Sequence, residues 1–139
     1  MPQREPTVCI VSGGLDSICT AAYLTREKGY EIYMLTFIYG QRAKKIEIKQ
    51  SRDFAKILNV KKRHIIDISF MKDLYGVTTC LTDRKQHLTE KFQYNIIVPV
   101  RNAIFITIAA AWALSINAKT VSYGAHTDDI HFYPDCRPE

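Results

Sequence analysis

Residues 10–24 read IVSGGLDSICTAAYL, and in this stretch an apolar run gives way to a helical pattern through two glycines. The β-branched, apolar residues 7–11 predict a buried strand. Residues 16–28 predict a helix that stops near Gly29. A strand, a glycine turn and a helix in this order are the first part of a βαβ unit.

The rest of the chain continues the alternation of strands and helices. Strands are predicted at residues 31–39, 63–68 and 120–123, and helices at 42–58 and 102–116. The predicted inward face of the first of these helices consists of Ala43, Ile46, Phe54, Ile57 and Leu58. The second is apolar on nearly every side, so we expect it to be buried on two faces, inside the fold or at a subunit contact.

This alternation predicts one domain over residues 1–139, with an α/β fold and a doubly wound, mostly parallel sheet. Ligands of such sheets bind beyond the carboxyl ends of the strands. We therefore expect residues 12–17, 39–42 and 124–129 to meet at that edge.

Composition and charge indicate which kinds of protein this chain could be. The 139 residues are 47% hydrophobic and 24% charged, with no apolar run as long as a membrane span and no signal-peptide pattern, so a cytoplasmic location is expected. Residues 42–63 hold nine Lys or Arg and two Asp or Glu, a local charge of +7. This basic segment is either a surface for anionic partners or a solvated helix face.

The glycine turn has the chemistry of an anion site. Gly13 and Gly14 adopt positive φ cheaply and expose backbone N–H groups before a helix N-terminus, and Ser12 and Ser17 can add hydroxyl donors. Neither GxxxxGK[ST] nor GxGxxG occurs in the chain. A carboxylate beside an anion needs a cation between them, which makes Asp16 a candidate Mg²⁺ ligand. The alternative is a plain turn in which Asp16 or Ser17 caps the helix.

Four motifs together carry a family resemblance. SGGLDS at residues 12–17 resembles the PP-loop of the ATP-pyrophosphatase superfamily, whose members share an adenine nucleotide alpha-hydrolase-like fold. With YGQR at 39–42, VPVRN at 98–102 and DDIHFYPDCRPE at 128–139, the chain resembles the 7-cyano-7-deazaguanine synthase family. The resemblance implies an ATP-dependent ligase that converts 7-carboxy-7-deazaguanine and ammonia to the nitrile through an adenylated carboxylate, in queuosine and archaeosine biosynthesis.

The resemblance also implies site residues. Asp16 and Arg101 are the candidate catalytic residues, because the joining of two anions needs nearby cations. The candidate nucleotide-binding residues are Val11, Ser12, Gly13, Gly14, Leu15, Asp16, Ser17, Ile18, Cys19, Thr20 and Ala21. The candidate substrate-binding residues are Arg42, Arg101, Asn102, Tyr133, Asp135 and Arg137. For three of these a plainer role stays open: Arg101 as a water-facing residue at the helix start, Asn102 as an N-cap and Asp135 as a turn residue.

The sequence departs from the family pattern in three places. Ala43 replaces the usual histidine, Val100 replaces a smaller residue, and the chain ends at Glu139, before the family's zinc-binding cysteine cluster. His126, His131 and Cys136 do not have a standard zinc spacing. Either the chain is truncated or the zinc site is dispensable; we favour truncation and expect a chain that binds ATP and Mg²⁺ but turns over poorly. We also expect Cys9 and Cys19 to be small buried hydrophobes.

Two other functions stay open. The chain could be a tRNA-modifying PP-loop enzyme such as a sulfur transferase, with the basic segment as its RNA surface. It could also be a nucleotide-binding remnant without catalysis. The ligase interpretation predicts small-molecule substrates and a homodimer, with neither membrane insertion nor direct nucleic-acid binding.

Overall fold

The computed structural model describes residues 2–75 and 101–125. Its strands are β1 (Pro6–Ile10), β2 (Glu31–Ile38), β3 (Lys62–Asp67) and β4 (Thr120–Ser122). Its α-helices are α1 (Leu15–Arg26), α2 (Lys44–Ile57), α3 (Lys72–Tyr75) and α4 (Arg101–Ser115), and a 3₁₀ turn at Ser69–Met71 precedes α3. Every predicted strand and helix in the described part of the chain is present, with ends that shift by one or two residues.

The four strands form one parallel sheet in the order β3-β2-β1-β4. In its register Val8 lies between Tyr33 of β2 and Val121 of β4. The order reverses at β1, because the chain moves outward to β2 and β3 and then returns to the other side of β1. The predicted doubly wound α/β class is confirmed, and β1 lies at the switch point where ligands of such sheets bind.

The sheet is covered on both faces, as the alternation predicts. Val8 and Ile10 point to the face covered by α4, and Cys9 and Val11 point to the face covered by α1 and α2. This alternation along a single strand follows from the two-residue period of the β conformation. Both clusters reach the strand ends from which the site is built.

The predicted inward face of α2 is wrong for most of its members. Ile46 and Ile57 are each 62% exposed, whereas Ser51 and Ala55 are buried. Ser51 Oγ accepts a hydrogen bond of 2.9 Å from Nη2 of Arg63 on β3. Small residues at the contact let the helix backbone lie close to the sheet, and a hydroxyl in this place is satisfied by hydrogen bonding rather than by apolar contact.

α4 is buried along one stripe instead of two faces. Phe105, Ala109 and Ala113, spaced by four residues, face the sheet, while Leu114 is 78% exposed. The spacing places all three buried side chains on one side of the helix. Burial of the other side at a subunit contact stays a prediction.

The two cysteines in the described part of the chain differ in burial. Cys9 is buried as predicted, and burial raises the pKa of its thiol to about 11. Cys19 is exposed, so the prediction for it was wrong; it lies on the outer side of α1, away from buried Ala21. Cys80 and Cys136 lie outside the described residues. No helix among residues 2–75 and 101–125 is long and apolar enough to cross a membrane.

Candidate functional site

The turn between β1 and α1 depends on Gly13. Its φ is +95°, and a Cβ atom at this position would come within 2.9 Å of the carbonyl oxygen of Glu47 on α2. The conformation and the space both favour glycine. The turn is therefore held tightly against the first part of α2.

Two serines close the turn on itself. Ser12 Oγ accepts a hydrogen bond from the N–H of Gly14 at 3.2 Å, and Ser17 Oγ accepts one from the N–H of Ser12 at 3.2 Å. The Ser17 hydroxyl lies 3.1 Å from the carbonyl oxygen of Gly14, to which it donates, and Ser17 is buried. The serines thus fix the shape of the turn.

The start of α1 has no side-chain cap. Gly14 is its N-cap residue, in an extended conformation and without a side-chain hydrogen bond to the helix. The capping alternative for Asp16 or Ser17 is therefore wrong. The first N–H groups of a helix have no partner within the helix, so they can receive an anion.

Gly124 brings the end of β4 against the same turn. A Cβ atom on Gly124 would overlap the amide nitrogen of Ser17 and lie 2.6 Å from the carbonyl carbon of Asp16. Only a glycine lets the two backbones approach this closely. The chain leaving β4 therefore passes directly over the first turn of α1.

A cavity of about 150 Å³ lies where these segments meet. Its walls come from the glycine turn, the end of β2, the start of α2, the start of α4 and the end of β4. The lining residues are Ile10, Ser12, Ser17, Tyr39, Glu47, Arg101, Asn102, Phe105, Tyr123 and Gly124. The expected meeting of three segments at the carboxyl edge is confirmed by Ser12, Ser17, Tyr39 and Gly124, which all line the cavity. Residues 126–129 lie outside the described part.

Arg101 enters the cavity from the first turn of α4. Its Nη1 donates a hydrogen bond of 3.3 Å to the Tyr39 hydroxyl, and its guanidinium lies 5.5 Å from the Tyr39 ring centre and 5.8 Å from that of Phe105. Arg101 is partly buried, so the alternative of a residue that faces water at the helix start is wrong. The two rings hold the guanidinium by cation–π contact and keep its orientation.

Gln41 and Glu47 were missed by the sequence analysis as site residues. Gln41 is buried, accepts a hydrogen bond from the N–H of Tyr39 at 2.8 Å, and donates one of 2.8 Å from Nε2 to Oε2 of Glu47. Burial raises the pKa of Glu47, although the bond from Gln41 and the charge of Arg101 both lower it. A glutamine within a run of polar residues after a strand gives little sign that it will be buried; its place in YGQR was the one available signal.

Only some of the other predicted site residues line the cavity. Ser12, Ser17, Arg101 and Asn102 line the cavity, whereas Arg42 is exposed and is not among the lining residues. Val11 and Ala21 belong to the core beneath the turn, and Leu15 is 78% exposed. Ile18 packs beside that core, Cys19 is exposed, and the hydroxyl of Thr20 bonds to the Asp16 carbonyl. Tyr133, Asp135 and Arg137 lie outside the described residues.

The metal predictions stay open. In the described ranges, no group of three or more His, Cys, Asp or Glu side chains could hold a metal ion. Asp16 is exposed at the helix start, and Mg²⁺ needs only one or two carboxylates when it also binds phosphate oxygens. His126, His131 and Cys136 lie outside the described part, so the zinc expectation stays a prediction.

The lysines of the basic segment lie on the surface along α2 and the start of β3, so both alternatives for this segment stay predictions. Its lysines are exposed, and two form surface ion pairs: Lys49 with Asp53 at 3.0 Å and Lys61 with Glu31 at 3.7 Å. Exposed pairs of this kind contribute little to stability, about 0–1 kcal/mol. The cavity-lining residues include none of these lysines.

The matching family profile and the most similar curated proteins indicate the same family. The family profile described as queuosine biosynthesis protein QueC matches residues 6–139. A protein of Archaeoglobus fulgidus named 7-cyano-7-deazaguanine synthase is 44% identical to the chain over 95% of it. Proteins of the same name from Pseudoalteromonas translucida and Campylobacter jejuni are 39% and 40% identical over 97% of the chain.

The chain spans about three-fifths of the length of these relatives: 55% of the Archaeoglobus protein and 62% of the other two. Among solved structures, an NH₃-dependent NAD synthetase from Campylobacter jejuni, in complex with nitrate, matches with a TM-score of 0.62. The match covers 93% of this chain and 51% of that one at 18% identity, so the likeness concerns the fold alone.

Proposed function

The chain belongs to the QueC family of queuosine biosynthesis proteins, and from that membership and the cavity we propose that it is an ATP-dependent carbon–nitrogen ligase. The substrate would be 7-carboxy-7-deazaguanine, which ammonia converts to the nitrile 7-cyano-7-deazaguanine. ATP would activate the carboxylate, with release of AMP or ADP and of pyrophosphate or phosphate.

One observation carries the proposal: the cavity joins the glycine turn to Arg101. Ser12 and Ser17 lie on one side of about 150 Å³ of space, and Arg101 and Asn102 lie on another. The turn supplies N–H donors at a helix N-terminus, and the guanidinium supplies a positive charge with a fork of donors. A cavity of this size is small for a whole nucleotide, but it suits the phosphate group at which an acyl-adenylate forms.

The proposed chemistry follows from the poor reactivity of a carboxylate. Its leaving group would be oxide, so the acid must first be joined to a better one. A substrate carboxylate oxygen attacks the α-phosphorus of ATP, pyrophosphate leaves, and the acyl-adenylate remains. Ammonia then displaces AMP to give the amide, and a second ATP drives its dehydration to the nitrile.

The residues of the site would position the reactants and stabilise charge. The first-turn N–H groups of α1 would hold the phosphates, and Arg101, oriented by Tyr39 and Phe105, would offset the repulsion between carboxylate and phosphate. Asp16 is the proposed Mg²⁺ ligand. A magnesium ion bound there with the phosphates would neutralise part of their charge.

The homodimer, the cytoplasmic location and the zinc that the family resemblance implies remain parts of this proposal. The exposed Leu114 on the outer side of α4 is compatible with a subunit contact. Sedimentation equilibrium of the protein would measure its oligomeric state directly.

The test of function is a product assay. The protein is incubated with 7-carboxy-7-deazaguanine, ammonium and ATP–Mg²⁺. The products are separated by chromatography and identified by mass spectrometry. We expect the nitrile together with AMP and pyrophosphate. ATP binding without products would contradict the ligase, and tRNA binding that weakens as salt rises would favour a tRNA-modifying enzyme.

A further inference from the structure

Glu47 places a carboxyl group in a cavity that otherwise suits anions. It lines the cavity with Ser12, Ser17 and Arg101 from the first turn of α2. A carboxylate repels phosphate, so its presence there weakens the binding of ATP unless the group does something else. The reaction described so far has no role for it.

The carboxyl group is held firmly by a single donor. Gln41 Nε2 donates to Oε2 of Glu47 at 2.8 Å, and the same nitrogen donates to the Phe37 carbonyl oxygen at 3.1 Å. Gln41 Oε1 accepts from the N–H of Tyr39, so the glutamine is fixed to the end of β2 at two points. Among residues 2–75 and 101–125, Glu47 forms no ion pair, and Gln41 is its one side-chain donor. Its second oxygen is thus available to a ligand.

The surroundings favour proton uptake by this group. Glu47 is half-buried, and burial raises the pKa of its carboxyl from the ordinary value. The described titratable groups that share its cavity are Arg101 on α4, Tyr39 at the end of β2 and Tyr123 after β4. A guanidinium stays protonated, and a phenol has an ordinary pKa of about 10, so neither is a base at neutral pH. Glu47 is the described cavity group suited to that role.

We propose that Glu47 is the general base for the nitrogen nucleophile. This inference rests on the proposed function, because it concerns the second half of that reaction. Ammonia attacks the acyl carbon, the new C–N bond forms, and the C–O bond to AMP breaks, with AMP taking the electron pair. One proton of the attacking nitrogen passes to the Glu47 carboxylate, which later releases it to water. The products are the amide, AMP and one proton.

The two half-reactions can be measured apart. Exchange of labelled pyrophosphate into ATP, with substrate but without ammonium, reports formation of the acyl-adenylate. Amide formation with ammonium reports the second half. We expect Glu47→Gln to keep the exchange rate within about twofold and to lower the amidation rate by about 10²–10⁴-fold, the usual contribution of a general base. Retained exchange also shows that the variant is folded.

The matched control is Asp53→Asn, which removes one carboxylate from the exposed side of the same helix. It should leave both rates unchanged. At a constant concentration of free ammonia, the amidation rate of the unmodified protein should rise with pH through the raised pKa of Glu47, and the rate of Glu47→Gln should lose this rise.

Three results would overturn the inference. Equal loss of exchange and amidation in Glu47→Gln would assign Glu47 to nucleotide or cation binding instead. Unchanged amidation in that variant would remove Glu47 from the reaction while leaving the ligase intact. Absence of exchange in the unmodified protein would contradict the proposed function itself, and the base with it.

Discussion

The helices that cover the sheet begin at its carboxyl end and end at its amino end, so the two ends of the sheet have different chemistry. At the carboxyl end, the N-termini of α1 and α4 face a cavity of about 150 Å³. At the amino end lie two larger cavities, of about 340 and 380 Å³, beside the C-terminal ends of α1 and α2. Size alone would favour the amino end as the site.

The cavities at the amino end have basic side chains, Arg4, Lys28 and Lys61, but they lie beside helix C-termini and not beside the N–H groups of a helix N-terminus. Gly29 and Asn59 follow α1 and α2 with φ of +70° and +50°, which is the left-handed conformation of a helix C-cap. Carbonyl oxygens, not N–H groups, point out of a helix C-terminus, and here they are satisfied by capping bonds such as Val60 N–H to the Ala55 carbonyl at 3.1 Å. The comparison teaches that the direction of the backbone dipoles, rather than the volume of a cavity, marks the candidate site.

The largest expected effect is at Asp16. Asp16→Ala should abolish Mg²⁺-dependent turnover, because a carboxylate proposed to hold the cation is lost. The side chain is exposed, so the free energy of unfolding should change by no more than about 0.5 kcal/mol. Steady-state kinetics and urea unfolding measure the two quantities. The control is Glu27→Ala at the other end of α1, and normal activity of Asp16→Ala would remove Asp16 from the mechanism.

Arg101→Lys should have the next largest effect. It keeps the charge but loses the planar fork that lies beside Tyr39 and Phe105, so kcat/KM should fall by about 10²-fold. The control at the amino end is Arg26→Lys in the last turn of α1, which should keep full activity. Equal activity of the two variants would place Arg101 outside the reaction.

A pair of glycine substitutions compares the two ends for stability. Gly13→Ala combines a strained φ with a Cβ that meets backbone at 2.9 Å, and should lower the free energy of unfolding by about 2–4 kcal/mol. Gly29→Ala has open space around it and should lose only about 1–2 kcal/mol, the strain of a positive φ. Urea titration measures both variants, and only Gly13→Ala should also lose ATP binding. Equal losses of unfolding free energy in the two variants would show that the close contact of Gly13 with α2 does not contribute to stability.

The smallest expected effect is the pH dependence at Glu47. Burial raises the pKa of its carboxyl in the folded state above the ordinary value of 4.5. The folded protein therefore binds the proton of the Glu47 carboxyl more tightly than the unfolded chain does. The contribution of this group to the free energy of unfolding is fully present below pH 4.5 and is lost as pH rises through the folded pKa. Glu47→Gln should remove this loss, so the variant should be slightly more stable than the unmodified protein at pH 7. Urea titrations at pH 4 and pH 7 test the sign; a variant less stable at pH 7 would contradict it.

The sequence predicted which segments meet at the cavity better than it predicted the inward face of α2. SGGLDS places a glycine turn directly before a helix, and the first N–H groups of a helix have no partner within the helix. The inward face of α2 was mispredicted because apolar periodicity favours Ile46 and Ile57, whereas the actual contact uses Ser51, Ala55 and a hydrogen bond from Arg63. Apolar spacing does not reveal that a small polar residue will be satisfied across the interface.

By itself, the sequence determined the order of strands and helices, the parallel sheet and the place of the glycine turn, because hydrophobic period and glycine conformation are local properties. Only the tertiary structure decided which distant groups share the cavity: Arg101 beside Tyr39 and Phe105, Gly124 over the first turn of α1, and Glu47 held by a buried Gln41. Such contacts depend on how helices from separate parts of the chain pack against one sheet edge. The change in the pKa of Glu47 follows from that packing, since burial exists only once the chain has folded.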